Sequence, residues 1–150
     1  MPGLWIGGHL WADATGTVRP AVAESEFDLV VSLYDRAGHG PAPGVEHLVQ
    51  EIPNGPLTAS ELGAVQELAS ATAQAVRSGR SVLVRCRYGY NRSGLVVAQA
   101  LAELGTPVAE AISLIRDRRS HAALHNDVFV QYLTTGLDIA RVLSSLDILA

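Results

Sequence analysis

The sequence predicts a single-domain α/β fold: a mostly parallel central sheet with helices on both faces. Three features lead there. Short runs rich in Val, Ile and Leu, bounded by Gly, Pro or Asp, read as strands. Helical periods alternate with the later runs, as βαβ units require. No repeat, low-complexity stretch or long linker divides the 150 residues, of which 48% are hydrophobic, enough for one core.

The expected strands are "LWIG" at 4–7, "FDLVVSL" at 27–33, "VEHLVQEI" at 45–52 and "SVLVRC" at 81–86. Between the second and third lies "YDRAGHGPAPGVEH", 34–47, whose glycines and prolines read as a surface loop. Thr58 and Glu61 form a capping box ahead of "LGAVQELASATAQAVR", a helix ending at Ser78-Gly79. "SGLVVAQALAEL" reads as a second helix, stopped by Gly105. "VAEAISLIRDRR" reads as a third, with Pro107 at its first position. Apolar residues at 128, 129, 132, 133, 137, 139, 142, 143 and 146 keep a helical period to the end, interrupted at Gly136.

Composition excludes several classes. The formal charge is −4, with 11 basic residues, all arginine, against 15 acidic ones. A nucleic-acid binder needs a broad basic face, so none is expected. One cysteine allows neither an internal disulfide nor a cysteine zinc cluster. "MPGLWIGGHLWAD" lacks the basic and apolar regions of a signal peptide, and no apolar stretch reaches membrane-spanning length. A cytoplasmic location, no membrane association and no cofactor are therefore the expectations; the oligomeric state is not legible.

The single thiol stands where chemistry is expected. In "VLVRCRYGYNRSGLVVAQAL", an apolar strand ends at Cys86 and a helix begins near Arg92, with Arg87, Tyr88, Gly89, Tyr90 and Asn91 between. Strand, glycine-bearing turn and helix N-terminus together form a cradle for anions, because backbone N–H groups converge there. Arg92 can fork two donors onto a phosphate. A thiolate in that field is a stabilised anion and a nucleophile able to attack phosphorus. Ser93 is placed to hydrogen-bond the sulfur as it leaves. The plain alternative, a small buried cysteine ending a strand, does not account for the glycine, arginine and hydroxyl at their spacings.

Cysteine, five residues, arginine and then serine, with Gly89 in the middle, resembles the signature of the cysteine-dependent tyrosine and dual-specificity phosphatases in their small atypical form. The late position of the cysteine and the order of elements, from "LWIGGHLW" to "FVQYL", resemble that class as well. The resemblance implies hydrolysis of phosphotyrosine or a similar phosphate monoester, on a protein or a small molecule. It casts Cys86 as nucleophile, Arg92 as phosphate ligand and Ser93 as an aid to release. Arg87, Tyr88, Gly89, Tyr90, Asn91 and Arg92 would contact substrate.

Two departures stand out. Arg85 occupies the place before the cysteine where the family usually has histidine; a cation there favours a thiolate. In "EIPNGPLT", Asn54 follows Ile52 and Pro53 where the family has a general-acid aspartate. An amide has no proton to transfer, and general acid catalysis contributes roughly 10²–10⁴-fold. Asn54-Gly55 is also a good turn and a pair prone to deamidation. Asp35, Asp13 and Glu51 are the alternative acids. Asn126, after His121 and His125, is a candidate to position the hydrolytic water or to cap the last helix. Arg116, Arg118 and Arg119 read as a helix C-terminus complementing its dipole, and His9, His39 and His47 carry no expected role. The rival functions are a phosphate-binding pseudophosphatase and, less well matched, a rhodanese-type sulfurtransferase.

Overall fold

Residues 3–12, 14–34, 38 and 40–149 are described by the computed structural model. Along the chain run β1 (Leu4–Gly8), β2 (Leu10–Ala12), β3 (Val18–Pro20), β4 (Leu29–Ser32) and β5 (Glu46–Val49). Then come α1 (Ala59–Arg77), β6 (Val82–Cys86), α2 (Arg92–Glu103), α3 (Val108–Arg118), α4 (Asp127–Thr135) and α5 (Leu137–Leu149). Strands β1, β6, β4 and β5 pair side by side in that order, all parallel, whereas β2 and β3 form a separate antiparallel pair.

Alternation along the strands divides the sheet into two faces. Leu29, Val31, Val82, Val84 and Cys86 join one core with the buried residues of the helices, among them Leu62, Val65, Leu95, Ala98 and Phe129. Helices α1 and α2 lie directly on this face and on each other; α3, α4 and α5 pack around them. These helices cover that face of the sheet, in the expected α/β arrangement of a mostly parallel sheet.

Residues 21–28, between β3 and β4, are irregular, and among the described residues the helices follow β5. Val30, Ser32, Leu83 and Arg85 point to the other face, by the pairing of β4 with β6. Irregular segment 21–28 crosses over that face, with Phe27 edge-on to Trp5 at 6.3 Å between ring centres. A cavity of about 340 Å³ remains beneath it, lined in part by Ala23, Phe27, Leu83 and Arg85.

The caps explain the helix starts. Thr58 Oγ1 accepts from Glu61 N at 3.1 Å and Glu61 Oε1 accepts from Thr58 N at 2.9 Å, completing the expected box. Pro107 is the N-cap of α3, one place earlier than expected. The last apolar period is divided at Gly136 into α4 and α5. Phe129, Leu133, Leu137 and Ala140 are buried, while Ile139, Val142, Leu143 and Leu146 face outward. Among the described residues no helix is long and apolar enough to cross a membrane.

Candidate active site

Strand β6 carries Cys86 to the C-terminal edge of the parallel sheet, where the chain turns through 87–91 into α2. The thiol is buried, at 3% exposure. What shapes the turn is the direction of its carbonyls. His9 N donates to Cys86 O at 3.0 Å and to Arg87 O at 2.9 Å, and Leu10 N adds a bond to Arg87 O at 3.1 Å. Arg119 donates from Nη2 to Tyr88 O at 2.8 Å and from Nε to Gly89 O at 3.3 Å. Leu124 N closes the set, donating to Tyr90 O at 3.1 Å.

A trans peptide unit places its C=O and N–H on opposite sides. Drawing Tyr88 O out toward Arg119 therefore aims the next N–H inward, and Gly89 N does donate to Cys86 Sγ at 3.3 Å. The same geometry suits any anion held above the sulfur.

Two glycines make this turn possible. Gly89 has φ 77°, and a Cβ there would lie 2.5 Å from the carbonyl carbon and oxygen of Gly7. Gly8 backs the turn from β1, where a Cβ would lie 2.6 Å from the carbonyl carbon of Tyr88. Sequence reasoning missed Gly7, Gly8, His9 and Arg119 as supports of the loop. The double glycine at a strand end was the available signal. Arg119 does more than complement a helix dipole: besides its two carbonyls, its guanidinium lies 5.3 Å from the Tyr90 ring centre. Arg116 likewise holds a turn, donating to Ala123 O at 3.1 Å and Leu124 O at 2.9 Å. Arg118 is exposed in the last turn of α3.

Arg92, half-buried at the first position of α2, donates from Nη1 to Ile52 O at 3.3 Å. Its guanidinium lies 5.6 Å from the Tyr34 ring centre. The signature arginine thus meets the "EIPNG" segment across the mouth of the turn. Ser93 is buried, and its hydroxyl donates to Gly7 O at 3.4 Å rather than to the sulfur. Arg87 and Tyr88 are exposed on the rim, the Arg87 guanidinium 5.4 Å from the Tyr88 ring centre.

Three asparagines connect the segments around the turn. Asn54, exposed after Pro53, accepts at Oδ1 from Asn126 Nδ2 at 3.0 Å. Asn126 N donates to Asn91 Oδ1 at 3.0 Å, and Asn126 Oδ1 caps α4 by accepting from Val128 N at 3.1 Å. Asn91, the N-cap residue of α2, makes no side-chain cap of its own. Asn91 Nδ2 is also 3.2 Å from His125 Nε2, while His125 Nδ1 is 2.7 Å from Ala122 O. His121 and Glu51 are exposed. Asp13, Asp35 and His39 lie outside the described residues.

Arg85 does not act where the sequence suggested. Alternation puts its side chain on the sheet face opposite Cys86, at 1% exposure, and its Nε donates to Ser32 Oγ at 3.0 Å. Ser32 Oγ is in turn 2.8 Å from His47 Nε2, so the arginine ties β6 to β4 and β5. His9 is buried, with Nε2 2.7 Å from Tyr34 O.

The chain is similar over nearly its whole length to human DUSP28, with 25% identity, 96% of this chain and 97% of that chain covered, and a TM-score of 0.74. A mouse putative dual specificity phosphatase complexed with zinc tungstate shares 28% identity, over 79% of this chain and 74% of that one, at a TM-score of 0.64. Tk-PTP in its active form shares 27% identity, over 73% and 78% respectively, at a TM-score of 0.56. No protein-family model and no curated protein sequence matches the chain.

Proposed function

By fold and by signature loop this chain groups with the small atypical cysteine-based tyrosine and dual-specificity phosphatases, and we propose that it is a phosphoric monoester hydrolase acting through Cys86. The observation that carries this reading is the outward bonding of the loop carbonyls together with the Gly89 N–H on Cys86 Sγ. The substrate class is phosphotyrosine or a similar monoester. Tungstate, named with the mouse protein, has the tetrahedral oxyanion shape this loop suits.

In the proposed reaction the phosphoryl group sits over the loop, its equatorial oxygens on the inward N–H groups and on Arg92. Arg92 exchanges its bond to Ile52 O for the substrate. Cys86 Sγ attacks phosphorus; the S–P bond forms as the bond to the leaving oxygen breaks. Water then attacks phosphorus, the S–P bond breaks and inorganic phosphate leaves. Ser93 turns from Gly7 O to donate to the departing sulfur. Asn126, bonded to Asn54 and Asn91, orients that water in this proposal.

A second reading, a phosphate-binding module with little turnover, is favoured by one observation: Asn54, two residues after the Ile52 whose carbonyl Arg92 holds, offers Asn126 an amide where a proton donor would serve. Hydrolysis of an electron-poor aryl phosphate by the purified protein separates the two. Turnover that vanishes in Cys86→Ser is expected. Absent turnover with intact vanadate binding would select the binding module, and turnover surviving in Cys86→Ser would sink both.

A further inference from the structure

Asn54 is followed by a glycine, and the surroundings of this pair favour chemistry at the side-chain amide. The chain bends at 54 and 55, and Asn54 is exposed. Among the described residues nothing accepts a hydrogen bond from Gly55 N. The side-chain carbonyl of Asn54 accepts from Asn126 Nδ2 at 3.0 Å, which polarises its Cγ toward a nucleophile. A Cβ added at Gly55 meets nothing within 4 Å, so the glycine of the pair faces open space.

We infer that Asn54 is a self-modification site whose deamidation supplies the general acid this chain was not encoded with. The inference rests on reading Asn54 as the occupant of the general-acid position. Gly55 N attacks Asn54 Cγ; the new N–Cγ bond closes a five-membered succinimide, and the side-chain nitrogen leaves as ammonia with the proton from Gly55 N. Water then adds to one imide carbonyl. Cleavage of the new N–Cγ bond restores the normal backbone and leaves an aspartyl side chain at this position; cleavage at the former Asn54 main-chain carbonyl gives the isoaspartyl form. In the aspartyl product Asn126 Nδ2 still holds one oxygen, leaving the other to carry and deliver a proton. The gene-encoded protein is then a weak catalyst for basic leaving groups, and it gains activity with age.

The test follows the full chain from fresh preparation through incubation at mildly alkaline pH, with Gly55→Ala and Asn54→Asp beside it. Mass spectrometry of the peptide holding residue 54 reports conversion of amide to acid independently of activity. Turnover of a phosphotyrosine peptide, per active Cys86, reports the consequence. Conversion should grow in the original protein and lag in Gly55→Ala, a substitution the open space at 55 tolerates. Peptide turnover should rise with conversion toward the Asn54→Asp rate, within roughly 10²–10⁴-fold of the fresh protein. Conversion no faster than in Gly55→Ala overturns the inference. So does conversion without gain when Asn54→Asp is itself faster, because the isoaspartyl form then dominates. If Asn54→Asp brings no gain while Cys86-dependent aryl phosphate turnover persists, the acid assignment fails and the phosphatase reading stands.

Discussion

At the scale of the residue, two arginines near the thiol do different work. Arg119 bonds outward-facing carbonyls of the loop, whereas Arg92 stands at the mouth with one bond, to Ile52 O, that a ligand can replace. The planar fork of Arg92 can meet two oxyanion oxygens at once, and lysine cannot. Arg92→Lys keeps the charge and should still weaken vanadate binding by about tenfold or more, since a hydrogen bond to a charged group is worth about 1.5–3 kcal/mol. Competition of vanadate with aryl phosphate measures it; unchanged binding in the lysine variant would remove Arg92 from the oxyanion site. Cys86, Arg92, Asn54 and Asn126 were each legible in the sequence as candidates because their spacing to a strand end or a helix start is local. The bond between Asn54 and Asn126 was not, because 72 residues separate them. Arg119 and Gly8 were not, because they reach the loop from distant parts of the chain.

At the scale of the element, the position of the proposed nucleophile, Cys86, depends on β6 staying in register with its neighbours. Asp28 fixes the entry of that strand: its Oδ2 accepts from Ser81 N at 2.9 Å and from Ser81 Oγ at 3.2 Å. The backbone bond from Ser81, then its hydroxyl, holds the Asp28 carboxyl below the usual carboxylate range. A carboxyl depressed in the folded state adds stability above the unfolded value, about 3.9, and that stability is lost as pH falls through the lower folded value. Thermal midpoints should therefore drop as pH descends from about 5. The drop should be shallower in Asp28→Asn; an identical pH slope in that variant would show that the clamp carries no linkage. Glu26, held low by its own N–H and that of Glu24, titrates in the same window, so some slope remains. The four sheet strands and the helix caps were readable because period and capping are short-range signals. The β2–β3 pair was not, since three-residue strands leave no period to read.

At the scale of the whole molecule, the residues that the proposed reaction uses to bind and attack a phosphate ester come from several elements, and the position proposed for its general acid holds an amide, Asn54, which has no proton to give. Strand β6 and helix α2 supply the thiol and the arginine, β1 and the turn after α3 shape the loop, and α4 brings Asn126 to Asn54. Such an arrangement makes rate depend on the alcohol being expelled. Phenols with electron-withdrawing groups depart as stable anions and need little help, whereas tyrosine must be protonated as it leaves. Freshly prepared protein should therefore show a steep fall of kcat/KM with leaving-group basicity across a series of aryl phosphates. Asn54→Asp should flatten that dependence, gaining least with the most acidic phenol and roughly 10²–10⁴-fold with tyrosine. Phosphotyrosine peptide binding to Cys86→Ser should be little affected by Asn54→Asp, because the acid acts on the leaving oxygen rather than on the cradle. If undeamidated protein already shows the shallow dependence, another group delivers the proton. Asp35, one of the alternative acids in the sequence, is then the substitution to make next, and Asp35→Asn should restore the steep slope.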